Sequence, residues 1–324
     1  MDCMIKPQSM SSSRPDPLLT CLITLSLAFG QVTGQEADAR AVQARESVMT
    51  STQAKELRSE PGVSVAPIAS PEVQKEFGEQ VVIRREASFD PWKVELDVQG
   101  FHTDNVALAP RRVEDFFLRT GLEVSYTNRL GGGWNAEFLL GQDALRYDQF
   151  SSLNFDRSRA AMGLSTKLSW LGGATLLARY QFDHLMEEGF GSRIMTTHSA
   201  LAGVIKSWRV GEKQRFHLGY LSEPDLYVDP DIAVRHEHGL HAGYSLKLTE
   251  RLTARLTGRA AYYSSPNAGR EDWNFLTRLT ATYALTDWAN VSASTGMTWN
   301  HSTKDRFDYR VQLTGAYLGL ELRF

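Results

Sequence analysis

From Trp92 onward apolar and polar residues alternate with period two, and the alternation repeatedly stops and restarts. Trp92, Val94, Leu96 and Val98 share one parity, with Lys93, Glu95, Asp97 and Gln99 on the other. Successive side chains of a strand point to opposite faces, so such a run predicts a strand with one apolar and one polar face. Further runs open at Phe116, Trp134, Ala160, Leu176, Thr197, Phe216, Leu240, Leu252, Trp273, Val291 and Phe307. Each is close to the roughly 9–11 residues that a tilted strand needs to cross a bilayer. About twelve strands are expected, and an even number returns the last strand beside the first. Two runs are ambiguous. Between Thr197 and Trp208, the parity placing Leu201, Gly203 and Ile205 on the apolar face keeps Lys206 off it, and that parity is preferred. In the last run the apolar parity of Phe307, Tyr309, Val311 and Leu313 changes near Gly315, for which a β-bulge is the expected cause.

The connections alternate in length. Those near residues 130, 172, 211, 250 and 287 are short, whereas those near 107, 150, 190, 228, 267 and 303 are longer and polar. Trp134, Trp170, Trp208, Trp273, Trp288 and Trp299, with Tyr126, Tyr180, Tyr262 and Tyr283, gather at run ends. Short turns on one side, longer loops on the other and aromatic run ends match a transmembrane barrel with two aromatic girdles. A soluble β-sandwich shares the period of two but has no use for this arrangement.

The closing segment Gly315–Phe324 places Leu318, Leu320, Leu322 and Phe324 on one face and stops on an aromatic. Here the chain resembles bacterial outer-membrane β-barrel proteins, and Leu285 through Phe324 is similar to the β-barrel porin families. The resemblance implies an all-β fold, an antiparallel up-and-down transmembrane barrel, with Phe324 recognised by the barrel-assembly machinery. It also implies outer-membrane lipid and small polar solutes as partners, with homo-oligomerisation left open.

The start of the chain reads differently. Lys6 and Arg14 precede an apolar stretch from Leu18 to Phe29, and Val32-Thr33-Gly34 offers small residues for cleavage. Residues 1–34 are therefore expected to be a secretory signal peptide. Residues 35–90 are rich in Ala, Glu, Gln and Arg, then broken by Pro61, Pro67 and Pro71. With so little apolar surface they are expected to form a periplasmic tail, disordered or partly helical, ahead of a barrel over 91–324. A partner-binding helix, or a plug inside the barrel, is the alternative. Both cysteines, Cys3 and Cys21, fall in the signal segment, so cysteine chemistry is excluded from the mature chain. The formal net charge of −3 gives no reason to expect nucleic acid binding.

The parity opposite the apolar face would line the lumen. It carries Lys93, Arg119, Arg159, Lys167, Arg179, His217, Lys247, Arg255, Arg259, Arg278 and Arg310, against fewer acids, Glu95, Asp97, Glu123, Glu137 and Asp308. Arg119, Arg159, Arg179, Arg255, Arg259, Arg278 and Arg310, with Glu95, Glu123 and Glu137, are the expected pore-lining residues. Arg255 and Arg259, four apart and so roughly 13 Å from each other on one face, would join Arg278 and Arg310 in a basic wall. Such a wall either selects anions or pairs with carboxylates and fills the lumen. Small barrels specific for acidic oligosaccharides carry arginine tracks that it resembles.

Catalysis is not expected. Outer-membrane phospholipase A combines a barrel of this size with His, Ser and Asn, but His198-Ser199 and His301-Ser302 are adjacent pairs whose members point to opposite faces. His236 and His238 share a face and could hold zinc or copper; a solvated rim is the favoured reading, so neither metal nor cofactor is assigned. Passive diffusion of small polar solutes, anions included, is the leading function. The alternatives are a non-conducting barrel that anchors or assists an envelope complex and, third, a lipid-modifying enzyme.

Overall fold

A computed structural model describes residues 38–45 and 90–324. The signal-peptide reading, and most of the tail reading, lie outside these residues. Twelve antiparallel strands form a closed barrel in which each strand pairs with its sequence neighbours and the last with the first. They are β1 (Trp92–Thr103), β2 (Asp115–Gly131), β3 (Trp134–Tyr147), β4 (Phe155–Leu168), β5 (Ala174–Glu187) and β6 (Arg193–Val210). The circuit continues with β7 (Gln214–Asp229), β8 (His236–Lys247), β9 (Leu252–Ser265), β10 (Arg270–Ala284), β11 (Ala289–Ser302) and β12 (Tyr309–Arg323). Closure runs from Lys93↔Arg323 to Thr103↔Leu313. Trp92 N–H donates to the Phe324 carbonyl at 3.1 Å, and Phe324 N–H to the Trp92 carbonyl at 3.2 Å. No described helix is long and apolar enough to cross a membrane, but a closed barrel has no open sheet edge and can meet hydrocarbon with every ladder group paired.

The outside is apolar and the inside polar. Leu96, Leu122, Leu140, Met162, Leu256 and Leu279 are exposed, whereas Asp97, Arg119, Glu123, Asp143, Arg159 and Arg259 are buried. Exposed Trp92, Trp134, Trp170, Trp208 and Trp288 ring the end with the short turns, and Trp273 and Trp299 mark the other.

Two register expectations are corrected. In β6, the register Leu176↔Val204 and Ala178↔Ala202 sets Ala200, Ala202 and Val204 on the outside, so Leu201, Gly203 and Ile205 face in. Lys206 consequently lies outside. It is tolerated because it is close to the end of the strand, where its ammonium reaches the Gly172 turn and lies 5.4 Å from the Trp208 ring centroid, a snorkelling arrangement. In β12 there is no bulge at Gly315. Pairing is continuous, with Phe101↔Gly315 on one side and Ser294↔Gly315 on the other. The apolar parity changes because the surroundings change. Leu318, Leu320 and Leu322 face out, whereas Tyr309, Val311 and Leu313 face into an apolar layer at the long-loop end of the lumen. Gly315 sits at the changeover because a Cβ there would lie 2.4 Å from Phe101 Cδ1 and 2.2 Å from the Gly100 carbonyl oxygen.

That apolar layer surrounds a helix, α1, described over 38–45. Ala41 and Ala44 are buried in one cluster with Phe101, Phe117, Tyr147, Leu185, Val311 and Leu313. This part of the tail therefore packs inside the barrel.

The parity assignment has a direct test. Leu279 is 52 % exposed on the outer face, and Thr280, one residue on, faces in, opposite Arg255. Leu279→Arg should cost roughly 2–4 kcal/mol of stability in lipid vesicles if it lies near the midplane. Thr280→Arg should cost much less, because its side chain extends towards the polar lumen. Urea titration of both variants in vesicles checks the difference.

Candidate functional site

The lumen has two chemically distinct sides. On the first, Asp97, Gly121, Asp143 and Arg157 fall in one row across β1 to β4. Arg119 Nη1 lies 2.6 Å from Asp97 Oδ1, and its Nη2 also pairs with Asp143. Arg157 continues the row, 3.8 Å from Asp143 and 2.7 Å from Asp183 on β5. Arg159 pairs with Glu123 at 2.6 Å, and Arg179 with Glu137 at 3.3 Å. Gly121 makes room for the row, since a Cβ there would sit 2.7 Å from Asp97 Oδ2 and 2.8 Å from Asp143 Oδ1. Buried charges persist only when paired and hydrogen-bonded. Here carboxylates and guanidinia alternate around the wall, and Gln99 adds a hydrogen bond to Asp97.

The second side, β8 to β12, is less saturated. Arg259 pairs with Glu237 at 2.7 Å and donates to Tyr263 and, at 2.7 Å, to Asn274. Arg255 Nε donates to Ser245 Oγ at 3.1 Å. Arg278, between Thr257 on β9 and Gly296 on β11, is 6 % exposed. Its guanidinium has no hydrogen bond or ion pair among the described residues. Thr257, Thr280, Ser294 and Tyr317 bring hydroxyls to inward positions around it, beside Leu276 and Leu313, and Thr282 and Ser292 hydrogen-bond to each other at 2.9 Å. Arg255, Thr280, Thr282 and Tyr317 are only half-buried, unlike the ion-pair row opposite.

Of the expected lining residues, Glu95, Arg119, Glu123, Glu137, Arg159, Arg179, Arg255, Arg259 and Arg278 all fall on inward register positions. Arg310 does not. It pairs across to Trp299 on the outer face, because Tyr309 and Val311 take the inward positions beneath α1. Asp308 lies in the 303–308 connection, 3.4 Å from His301. The expected scarcity of acids is also corrected. Asp115, Asp143, Asp183, Asp225, Glu237 and Asp272 are inward too, as is Arg157. The signal was the parity itself. Asp143 continues the phase of Glu137, and Arg157 that of Arg159, beyond where the apolar runs fade.

α1 is fixed to this wall by charge as well as packing. Arg45 forms a bidentate pair with Asp225, whose side chain is fully buried, at 2.7 and 2.8 Å, and donates to the Ala233 carbonyl at 2.8 Å. Arg40 pairs with Glu187. The histidine–serine pairs diverge as parity requires. Ser199 Oγ donates inward to Glu223 at 2.9 Å, while outward His198 Nδ1 lies 2.5 Å from the Tyr180 hydroxyl. His238 is engaged outside by the Tyr220 hydroxyl at 3.0 Å.

No family model matches the chain, and no curated protein matches it in sequence. Solved structures match in fold. An outer membrane channel from Pseudomonas putida F1 superposes with a TM-score of 0.50 at 11 % identity, covering 75 % of this chain and all of that one. The NanC porin gives a TM-score of 0.42 at 10 % identity over 70 % of this chain and 100 % of its own. LpxR from Salmonella typhimurium gives 0.42 at 7 % identity, over 70 % of this chain and 99 % of its own. The chain has the fold of bacterial outer-membrane β-barrels.

The ion-pair row predicts a contrast between two arginines. Arg119→Met leaves Asp97 and Asp143 buried and facing each other, and should lower stability by about 3–5 kcal/mol. Arg179→Met breaks a half-exposed pair and should cost less than about 1 kcal/mol. Urea midpoints of the two variants in vesicles measure the gap.

Proposed function

We propose that the protein is an outer-membrane pore for small polar solutes, selective for anions, with the β9–β12 side of its lumen as the conducting wall. The observation that carries this reading is Arg278, a lumen-facing guanidinium with hydroxyls and no carboxylate around it. On the β1–β5 side each arginine is neutralised within the wall, so its field is short-ranged. The charge of Arg278 is not cancelled locally, and guanidinium stays charged at any physiological pH. An unneutralised cation in a narrow, low-dielectric passage raises the local concentration of anions. The neighbouring hydroxyls can replace part of an anion's hydration as it passes. The apolar outer belt, the two aromatic bands and the alternation of short turns with longer connections support placement in the outer membrane, with the long connections outward.

The seated helix favours a second reading, a barrel that does not conduct and serves an envelope complex through its tail. Ala41 is fully buried and Arg45 is held at both terminal nitrogens, so α1 obstructs the end of the lumen it occupies.

Planar-bilayer recordings of the full chain, and of a chain lacking residues 38–45, separate the two. The pore reading expects larger conductance after the deletion and a reversal potential displaced towards the anion potential in a salt gradient. Arg278→Gln should move that potential towards cations, most strongly at low ionic strength, where the Debye length exceeds the passage radius. If neither chain conducts, the second reading replaces the first. Conduction indifferent to Arg278→Gln retains the pore but removes its proposed filter.

A further inference from the structure

We propose that Arg310 anchors a docking site for the phosphate of an outer-leaflet lipid, on the outside of the barrel where β11, β12 and β1 meet. The proposal rests on the outer-membrane placement above but not on conduction. Its origin is the polarity inversion of β12. Because Tyr309, Val311 and Leu313 face inward in the apolar cluster that includes α1, the intervening Arg310, Gln312 and Thr314 face outward, in line with the apolar Leu318, Leu320 and Leu322 further along the strand. Arg310 pairs across to Trp299, an exposed aromatic near the long-loop end, and therefore lies at that girdle. A cation at this depth with no counter-charge is costly, and one near a headgroup phosphate is stabilised.

The side chain is held for such a contact. Its guanidinium carbon is 6.0 Å from the Trp299 ring centroid, and Nε lies 3.1 Å from Met297 Sδ. Both contacts orient the group while leaving the two terminal nitrogens without a hydrogen bond or ion pair among the described residues. The carboxylates nearby are engaged elsewhere. Asp104 accepts from the Gln312 backbone N–H at 2.6 Å and lies 3.2 Å from Arg112. Asp308 accepts from the Ser302 N–H at 2.5 Å and faces His301 at 3.4 Å. A phosphate can take two parallel hydrogen bonds from a guanidinium fork, which a chloride or a single carbonyl cannot. Beneath it on the outer face, the Gln312 side-chain amide has no partner among the described residues. It is placed to meet the amide or ester linkages that lie next to a lipid's phosphates. Thr314 and Thr295 satisfy each other at 2.9 Å, so the stripe continues towards the acyl region without a free hydroxyl. A second copy of the chain is the competing occupant of a polar stripe, but Arg310 would then need an acid at the same depth, whereas lipid supplies phosphate there by its own geometry.

The test is native mass spectrometry of the full chain in detergent, titrated with diphosphoryl lipid A and with its dephosphorylated counterpart. Wild type should retain one diphosphoryl lipid preferentially. Arg310→Gln should weaken that retention by about tenfold or more, the loss of a charge-assisted hydrogen-bonded pair. Arg310→Lys, which keeps charge without the fork, should fall between. The dephosphorylated lipid should not distinguish wild type from variant. Heat-modifiable migration reports that each barrel is folded, and the exposed position of Arg310 makes both variants tolerable. Equal retention by wild type and Arg310→Gln overturns the proposal. So does displacement of the lipid by an equal concentration of inorganic phosphate, which would make free phosphate the ligand. Disulfide-linked dimers of Thr314→Cys would overturn it in favour of a second copy. Failure to fractionate with the outer membrane would instead remove the placement on which the proposal stands.

Discussion

The pairing of β1 with β12 governs this molecule, because it removes the only two edges that a twelve-stranded sheet would otherwise expose. With the circuit closed, backbone polarity is satisfied within the wall, and side-chain polarity can be turned inside out relative to a water-soluble protein. The outside then requires apolar residues at every second position, as in Leu96, Leu256 and Leu318. The inside accepts the remaining positions, and with them most of the charges that the strands carry. Solvation is limited inside a wall of this size, so those charges must find each other. The row from Asp97 through Arg119, Asp143 and Arg157 to Asp183 follows from that necessity. Such pairs contribute little net stability against an apolar alternative, but breaking one is costly, so they fix the relative register of five strands.

Against this neutralised background, an unpaired charge carries information. Arg278 and Arg310 are both arginines without a described carboxylate partner, one inside and one outside. One faces the lumen and the other the outer surface of the barrel. Inside, hydroxyl neighbours that are themselves only half-buried suit the proposed solute in transit, for which a saturated and tightly held site would be a trap. Outside, an indole face and a thioether leave the guanidinium fork oriented and unspent, which suits a resident partner. The two proposed roles thus differ through the surroundings of the guanidinium and not through its chemistry.

How much of this was legible in the sequence depends on whether parity alone decided the question. All twelve strands, the alternation of short and long connections and the inward position of Arg119, Arg159, Arg255, Arg259 and Arg278 follow from period two and a common apolar outside. Where a second interior material enters, parity misleads. Tyr309, Val311 and Leu313 have the composition of a lipid-facing face but pack against α1, and Arg310 was carried to the wrong side with them. Lys206 misled in the opposite sense. Its charge argued for the lumen, yet a flexible ammonium at a strand end can reach the turn and an indole, which no pattern of single letters encodes. The partners within the lumen were hidden for a further reason. Which carboxylate meets which guanidinium depends on the stagger between strands, and Asp143 meets Arg119 only because their strands pair in the observed register.

The inversion in β12 links the inside of the barrel to its outside. An alternating strand cannot turn apolar residues inward without turning the intervening ones outward, so each apolar group placed in the cluster around α1 commits a neighbour to the outer face. Val311 and Leu313 are buried, and Arg310, Gln312 and Thr314 are the consequence. The helix at the end of the lumen and the polar stripe on the belt are thus two results of one constraint. Substituting Val311 or Leu313 would loosen α1 without disturbing the outer stripe, because parity is set by the ladders to β1 and β11 and not by the helix. The seating of the helix and the chemistry of the outer face are therefore coupled through the choice of sequence, while remaining mechanically separate in the folded protein.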